Sequence, residues 1–367
     1  MKIYLIGNYP LDNTRSMFLY SNIIKKYLKN FKYKTILLKP KVILNQYNFK
    51  NKLIKKYFSY IDKYFFFGLK LYFKIKNNDI VHISDQANSI LYPFIKSNKL
   101  SITCHDLINI KLLKNQKVKK ISITGKIYQK LILYFIKKYN KIICVSIKTK
   151  KDLIKTSKLN KNKIYVIYNS LNNKFKKIKN SESDKILNVD LNLNFFLHVG
   201  GNAWYKNKEG IIKIFNQLIK FKKYKNYKLI LAGAKLTHEN EMLIKKLKIQ
   251  KSIINLINPN NNKLCALYSR AEALIFPSHD EGFGWPIIEA QACGCPVFTN
   301  HKNPMKEIGK NAVFYFNSKN SIKNAKLINK KLKLKKQITQ NGYANLKRFK
   351  FSEIKEKYIN FFENQCI

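Results

Sequence analysis

The chain has 367 residues, enough for two ordinary domains that each bury a core. Its hydrophobic share of 46% and aromatic share of 13% exclude a disordered protein. Lysine and arginine number 72 against 20 acids, which gives an extreme formal net charge of +52.

Three explanations of this charge compete: nucleic-acid binding, attraction to an anionic membrane surface, and a compositional bias towards lysine. The lysines are dispersed along the chain and form no basic arm or tail. This pattern favours bias and a generally positive surface, keeps an anionic membrane surface as a candidate partner, and disfavours nucleic acid.

The N-terminus reads as a first strand because its short apolar run breaks at Gly7 and Pro10, so no signal peptide is predicted. No apolar run reaches the roughly 18–20 residues that span a bilayer. We therefore expect a cytoplasmic protein, with peripheral placement at the inner face of the membrane as a candidate. The aromatic segment 64–73 fits either an amphipathic membrane-contacting helix or a core helix.

Short apolar, β-branched runs alternate with helix-like runs along the chain, starting with a predicted helix at 16–28. The predicted strands fall in two sets: 2–7, 33–39, 79–84, 100–106, 141–146 and 163–169, then 194–200, 227–233, 253–257, 272–278, 296–300 and 312–316. Such alternation predicts two doubly wound parallel sheets covered by helices on both faces.

The polar, aperiodic stretch between the two sets is the best candidate linker. We predict a first domain at 1–178, a linker at 179–192, a second domain at 193–349, and a C-terminal helix at 350–367 that packs back on the first domain. Because ligands bind beyond the carboxyl ends of parallel strands, the polar residues that follow strands are the candidate site residues.

One loop and helix after a predicted strand, "HDEGFGWPIIEAQACG", combines scarce acids with glycines. Gly282 and Gly284 let the backbone approach a ligand closely. The N–H groups of Phe283 and Gly284, with a helix start behind them, are suited to a diphosphate. Carboxylates here can accept hydrogen bonds from vicinal sugar hydroxyls. The alternative is a surface acid at 281 and a helix-favouring acid at 289, and the two glycines favour the ligand interpretation.

The stretch closely resembles the E-x7-E signature of retaining glycosyltransferases of family 4, which have the GT-B fold, with Glu281 and Glu289 as its two glutamates. Collinear resemblances cover nearly the whole chain: "IGNYPLDNTRSM", "SITCHDL", "IICVSIKTKKDL", "VIYNSL", "LHVGGNAWYKNKEG", "LYSRAEALIFPS" and "RFKFSEIKEKYINFF". The resemblance implies two Rossmann-like domains facing across a cleft, the first on the acceptor side and the second on the nucleotide-sugar side.

The resemblance also implies a role for each matching residue. Glu281 and the amides of Phe283 and Gly284 would contact the donor sugar and diphosphate, and Glu289 would bind the ribose hydroxyls. Lys206 would neutralise the leaving diphosphate. His105 would face the transferred sugar. The alternative for His105 is a buried histidine satisfied by a neighbour such as Asp106.

Two positions depart from the family pattern. Gly201 stands where the family carries an arginine, and Lys208 is then a candidate for the second positive charge. In the N-terminal loop Asn13 and Thr14 replace a usual pair of glycines, and Arg15 is a candidate anion contact.

Other histidines and the cysteines carry weaker signals. His82 or Asp85 is a candidate acceptor contact, whereas His198 lies inside a strand and is predicted to be core. The six cysteines are predicted to be reduced thiols. The pair at 293 and 295 lacks further ligands at metal-binding spacing, so neither a metal nor another cofactor is expected.

The predicted function is transfer of a sugar from a nucleotide-diphosphate sugar to a hydroxyl of a glycan or lipid-linked acceptor, with retention and without a metal, in cell-surface polysaccharide or lipopolysaccharide synthesis. Two alternatives remain. One is a basic membrane- or nucleic-acid-binding protein that keeps the fold without activity. The other is a different nucleotide-sugar enzyme, such as an epimerase.

Overall fold

The computed structural model describes residues 1–12, 15–47, 51–113, 121–187, 193–316 and 319–366, without the side chains of residues 15 and 52. The chain divides into two compact units. The first comprises Met1–Tyr168 and Ser352–Ile367, and the second comprises Asn169–Phe351. Within the described ranges, no helix has the length and hydropathy needed to cross a membrane.

The first domain is built on a six-stranded parallel sheet. Its strands are β1 (Ile3–Ile6), β2 (Thr35–Leu38), β3 (Ile80–Ile83), β4 (Lys99–Cys104), β5 (Lys141–Cys144) and β6 (Ile164–Val166). They lie in the order β2-β1-β3-β4-β5-β6, with Ile3 in register with Thr35 on one side and Ile80 on the other. β1 and β3 are fully buried, which explains why their residues are apolar except for His82 in β3.

A 3-10 helix at Gln86–Phe94 connects β3 to β4, and α-helices lie in the other connections between these parallel strands. The α-helices are α1 (Arg15–Tyr27), α2 (Lys52–Tyr60), α3 (Phe67–Lys74), α4 (Ile108–Lys111), α5 (Ile123–Ile136) and α6 (Ile147–Ser157). A π-helical turn at Ile61–Phe66 joins α2 to α3 without interrupting the helical run. α5 and α6 are N-capped by Ser122 and Ser146, whose hydroxyls accept from backbone N–H groups three residues on.

The second domain has its own six-stranded parallel sheet, in the order β12-β11-β10-β7-β8-β9. The strands are β7 (Phe195–Gly200), β8 (Lys228–Gly233), β9 (Ile253–Ile257), β10 (Ala273–Phe276), β11 (Val297–Asn300) and β12 (Phe314–Phe316). The strand order reverses between β7 and β10, whose following connections run in opposite directions along the sheet. This switch point is where open parallel sheets bind ligands.

Helices α7 to α14 belong to the second domain, and the closing helix α15 (Phe351–Cys366) follows them. The eight are α7 (Asn180–Leu187), α8 (Lys208–Leu218), α9 (His238–Lys246), α10 (Asn261–Arg270), α11 (Trp285–Ala292), α12 (Met305–Gly309), α13 (Ser321–Lys331) and α14 (Lys335–Asn345). α15 packs on the first domain: the Tyr358 hydroxyl bonds that of Tyr20, and Lys99 Nζ donates to the Cys366 carbonyl at 2.9 Å.

The boundary between the domains differs from the sequence prediction. The first unit ends at Tyr168 rather than at 178, because the segment that follows is bonded to the second domain. Leu171 N donates to the Phe349 carbonyl at 3.0 Å, and Ile178 N donates to Ser269 Oγ at 3.3 Å.

The predicted linker at 179–192 is also different. Its described part forms α7, in which Ser183 and Asp184 are buried. Asp184 accepts from Arg270 Nε at 2.6 Å, so an acid that looks solvent-facing in the sequence is an internal ion pair. Residues 188–192 lie outside the described residues.

Candidate functional site at the switch point of the second domain

Two loops meet at the switch point of the second sheet, one after β7 and one after β10. Each contributes a charged residue of the predicted site: Lys206 and Glu281. Lys206 Nζ lies 2.8 Å from Glu281 Oε1 and 2.9 Å from Oε2. The glutamate side chain is 8% exposed and the lysine 18%, so this ion pair is largely removed from water. Two residues separated by 75 positions are therefore joined because β7 and β10 are neighbours.

The same two loops are also joined through their backbones. Asn207 has a left-handed conformation (φ 56°) and caps α8, its side chain accepting from Gly210 N. Its Nδ2 donates to the Pro277 carbonyl at 3.0 Å, and His279 N donates to the Tyr205 carbonyl at 2.7 Å. These bonds fix the separation of the loops that carry Lys206 and Glu281.

Asn300, at the end of β11, supports the glutamate loop from its other side. Its Nδ2 donates to the carbonyls of Pro277 at 3.0 Å and Ser278 at 2.7 Å. Sequence reasoning missed both Asn207 and Asn300. The position of Asn207 before a helix is a recognisable cap signal, whereas Asn300 acts through sheet order, which no local pattern shows.

The predicted diphosphate turn is a helix start, with Gly284 at the N-cap of α11 and Pro286 in its first turn. Gly284 has φ 106°, a left-handed conformation that favours glycine. Phe283 is buried against Phe349, with ring centroids 5.8 Å apart, which anchors the loop. Gly282 and Phe283 immediately follow Glu281, so carboxylate and helix start lie on one short segment. This arrangement suits an anion beside a hydroxyl-bearing group.

Glu289 lies within α11 and is held by a tyrosine that the sequence analysis did not single out. Tyr268, on α10, donates its hydroxyl to Glu289 Oε2 at 3.0 Å. Burial and the neighbouring carboxylate raise the pKa of Tyr268 well above its usual value, so the hydroxyl keeps its proton. One Glu289 oxygen is thereby oriented by the protein.

Lys208 and Gly201, the two residues of the phosphate turn that were considered for the second positive charge, lie in different surroundings. Lys208 is buried, and its ammonium donates to Asn202 Oδ1 at 2.7 Å and to the Ala234 carbonyl at 3.1 Å. Burial lowers its pKa. A Cβ built on Gly201 would meet nothing within 4 Å, so the position of the missing arginine opens onto free space.

In the first domain, His105 follows β4 and is 6% exposed. Its Nε2 lies 2.8 Å from the Ser84 carbonyl, which can only accept, so Nε2 carries a proton. The Tyr20 ring meets the imidazole edge-on at 4.5 Å. The partner is thus Ser84 and not Asp106, whose carboxylate accepts from Ile108 N.

The suggestion that His82 or Asp85 contacts an acceptor is wrong for His82. It is fully buried, and its two ring nitrogens lie 2.9 Å from Ser101 Oγ and Thr103 Oγ1. Burial lowers its pKa to about 3, which keeps it neutral. Asp85 caps the following turn through Ala87 N and accepts from Asn8 Nδ2 at 2.6 Å.

The remaining predicted positions are quickly placed. His198 is buried within β7 as expected, and burial lowers its pKa to about 4. Cys293 and Cys295 are buried free thiols. Asn13, Thr14 and the side chain of Arg15 lie outside the described residues. Among the residues described, no three His, Cys, Asp or Glu side chains form a group able to hold a metal ion.

Two doubly wound parallel domains in one chain are the architecture of GT-B glycosyltransferases. The profile of Glycosyltransferase Family 4 matches residues 44–174, and that of Glycosyl transferases group 1 matches residues 179–348. The chain belongs to this family, which confirms the resemblance inferred from the E-x7-E motif.

Relatives and solved structures agree with this assignment. The chain is 30% identical over 233 residues to the O-antigen chain mannosyltransferase RfbU of Salmonella typhimurium, covering 61% of this chain and 62% of that protein. It thus spans less than two thirds of this curated relative. The structure of sucrose-phosphate synthase from Thermosynechococcus elongatus (16% identity, TM-score 0.76) matches over 99% of this chain and 98% of the synthase chain. The structure of Anabaena HepE in complex with UDP and glucose (17% identity, TM-score 0.74) matches over 99% of this chain and 100% of the HepE chain. These likenesses confirm the GT-B fold.

Proposed function

We propose that the protein transfers a sugar from a nucleotide-diphosphate sugar to a hydroxyl of a glycan or lipid-linked acceptor, with retention at the anomeric carbon. The observation that carries this proposal is the Lys206–Glu281 ion pair beside the Gly284 helix start, at the switch point of a doubly wound sheet. A mannosyltransferase of O-antigen chains among the relatives supports an acceptor in cell-surface polysaccharide or lipopolysaccharide synthesis, and mannose as the first sugar to test.

The ion pair has capacity left for a ligand. An ammonium has three N–H donors, so Lys206 retains at least one for a diphosphate oxygen while it stays on Glu281. Each carboxylate oxygen of Glu281 can accept more than one hydrogen bond, so pairing with Lys206 does not by itself prevent it from accepting from sugar hydroxyls. Lys206 would therefore stabilise the leaving charge while Glu281 holds both the lysine and the sugar.

In the proposed step the acceptor oxygen bonds to the anomeric carbon on the face that the diphosphate leaves. The carbon–oxygen bond to the diphosphate breaks, and the acceptor proton moves to a leaving phosphate oxygen. No covalent intermediate with the protein is needed. Lys206 and the N–H groups at the start of α11 lower the barrier by stabilising the departing diphosphate, and His105 is proposed to position the transferred sugar.

Glu289 is proposed to accept from the ribose hydroxyls. Tyr268 donates to Oε2, and a carboxylate can accept several hydrogen bonds, so this contact does not by itself prevent Glu289 from accepting from vicinal hydroxyls. Since the diphosphate would be handled by a lysine and a helix start, we propose that no metal or other cofactor takes part. Peripheral placement at the inner face of an anionic membrane is proposed as well, because a lipid-linked acceptor lies there and the net charge is +52.

The test is a panel of GDP-, UDP- and ADP-sugars, starting with GDP-mannose and with a bacterial lipid extract as acceptor. Nucleotide release and transfer of labelled sugar are followed with and without EDTA, and the anomeric configuration of the product is read by NMR. We expect one donor to be turned over, with retention and without loss in EDTA.

Matched variants make the result specific. Glu281→Ala and Lys206→Ala should lose activity, whereas Glu209→Ala and Lys213→Ala remove an exposed ion pair on α8 and should not. Absence of binding and turnover for every donor, or site variants as active as the wild type, would overturn the proposal.

A further inference from the structure

The first domain exposes two stripes of large apolar side chains on neighbouring helices. One runs along the continuous helical segment from α2 through the π turn to α3, and the other along α5. The most exposed members are Phe73, at 81%, and Ile123, at 76%. The others are Leu53, Ile54, Tyr57, Ile61, Phe65, Leu69, Tyr72, Ile127, Leu131 and Tyr134. Most recur at intervals of four, so each stripe follows one side of its helix.

The two stripes belong to one surface because their helices pack side by side. The rings of Tyr60 and Tyr128 stack with centroids 5.7 Å apart, and the hydroxyls of Tyr64 and Tyr128 are 2.8 Å apart. Lys56 Nζ reaches Thr124 Oγ1 at 3.5 Å along the same seam. We call this surface, formed by the exposed residues of 53–74 and 122–138, the α2–α5 face.

The exposed charge on the α2–α5 face is entirely positive. Its exposed lysines are Lys55, Lys70, Lys74, Lys130, Lys137 and Lys138, and Lys56 is half-buried. The single acid of the two segments, Asp62, is buried and accepts from Tyr9 Oη at 2.7 Å and Leu44 N at 2.9 Å. Lys63 is also buried, paired with Asp12 at 3.0 Å. The face thus presents apolar side chains among lysines without an exposed carboxylate.

We propose that the α2–α5 face binds an anionic lipid bilayer, with its apolar side chains at the boundary between headgroups and acyl chains. Apolar stripes flanked by lysines match such a surface in both polarity and charge. A nucleic acid would use the lysines but leave aliphatic side chains such as Ile127 and Leu131 without a partner. A second copy of the chain would bring one lysine-rich face against another.

This proposal deepens the proposed function by identifying the surface that brings the protein to a lipid-linked acceptor. The α2–α5 face lies on helices that carry none of the donor-site residues, so the membrane proposal and the proposed function can fail separately. Binding of nucleoside diphosphates, measured by calorimetry on every variant, reports on the donor site alone.

The first experiment is co-sedimentation of the full chain with phosphatidylcholine vesicles containing 30% phosphatidylglycerol, and with phosphatidylcholine alone. We expect binding only to the anionic vesicles, weakened at least tenfold between 50 and 300 mM salt. Ile127→Glu and Phe65→Glu should each reduce binding by roughly tenfold or more. Met242→Glu and Ile322→Glu alter comparably exposed apolar residues on the second domain and should bind as the wild type.

Charge and insertion are tested separately. Lys130→Glu should weaken binding more than Lys245→Glu, by roughly fivefold or more. The fluorescence of Phe73→Trp should be quenched by brominated lipids more than that of the wild type, whereas that of Met242→Trp should not. The proposal is overturned if the face variants bind like the wild type, if binding needs the lysines but not the apolar residues, or if the variants instead abolish a dimer of the free protein.

Discussion

The ammonium nitrogen of Lys206 lies within 2.9 Å of both carboxylate oxygens of Glu281. The pair is supported by Phe276, whose ring centroid is 5.5 Å from the ammonium. Both groups are largely buried, so the ion pair is shielded from water within the loops of the switch point. The predicted leaving-group residue and the predicted sugar-binding residue therefore act as one unit.

The first prediction concerns this unit. Lys206→Ala should lower kcat by on the order of 10²–10³ while changing the donor KM much less, since the lysine acts mainly on charge that develops in the transition state. It should also lower the free energy of unfolding by about 1–3 kcal/mol, because the largely buried Glu281 loses its ion pair with Lys206. Steady-state kinetics and urea unfolding measure the two effects.

Lys213→Ala is the control for this experiment, since Lys213 forms an exposed pair with Glu209 on α8. Exposed pairs contribute little, so neither kinetics nor stability should change. Equal kinetics for Lys206→Ala and Lys213→Ala would contradict the assigned role.

The sequence was sufficient to place these two residues but not to pair them. Each follows a strand, and strand ends are where parallel sheets bind ligands, so local patterns identified both. Their contact depends on the pairing of β7 with β10, which are separated by the whole of β8 and β9. Sheet order is a property of the folded domain that no local stretch of residues encodes.

Two other differences between the sequence predictions and the structure arise because polar groups are buried. His82 follows the pattern of a strand-end ligand, yet it is satisfied inside the sheet by Ser101 and Thr103 on the neighbouring strand. Asp184 makes its segment look like a linker, yet it is neutralised by Arg270 from α10. Polarity indicates exposure only when no partner is brought near by tertiary structure, and the sequence does not show such partners.

A second prediction tests the orientation of Glu289. Tyr268→Phe removes the hydroxyl bonded to Oε2 and leaves the ring in place, so the carboxylate loses a fixed donor. The donor KM should rise by roughly 3–10-fold, the effect of one such hydrogen bond, with kcat little changed. Tyr224→Phe is the matched control, because among the described residues the buried Tyr224 hydroxyl has no hydrogen-bond partner. An unchanged KM in Tyr268→Phe would show that Tyr268 does not set the position of Glu289.

A third prediction uses two glycines near the phosphate turn. Gly201→Arg places the arginine typical of the family into open space, so the protein should fold with unchanged melting temperature and bind nucleoside diphosphates several-fold more tightly. Gly233→Ala should be destabilised by at least about 2 kcal/mol, because its Cβ would lie 2.2 Å from the Gly200 carbonyl oxygen at a φ of 141°. Calorimetric affinities and melting curves test both. Weaker nucleotide binding in Gly201→Arg would argue against a diphosphate at this turn.

The last prediction concerns acid stability and His82. Burial lowers the pKa of folded His82 to about 3, whereas an exposed histidine titrates near 6.5. Between these values the unfolded chain binds a proton that the folded chain does not, so stability falls as pH drops below about 6.5. At pH 5 this costs about 2 kcal/mol relative to pH 7.5.

His82→Gln keeps groups able to bond Ser101 and Thr103 but does not titrate. The unfolding free energy of His82→Gln should therefore change by about 2 kcal/mol less between the two pH values than that of the wild type. The measurement is the urea-unfolding transition of the first domain at each pH. His238→Gln replaces an exposed histidine and should retain the full pH dependence. If His82→Gln also retains it, the proton taken up on acid unfolding belongs to another group.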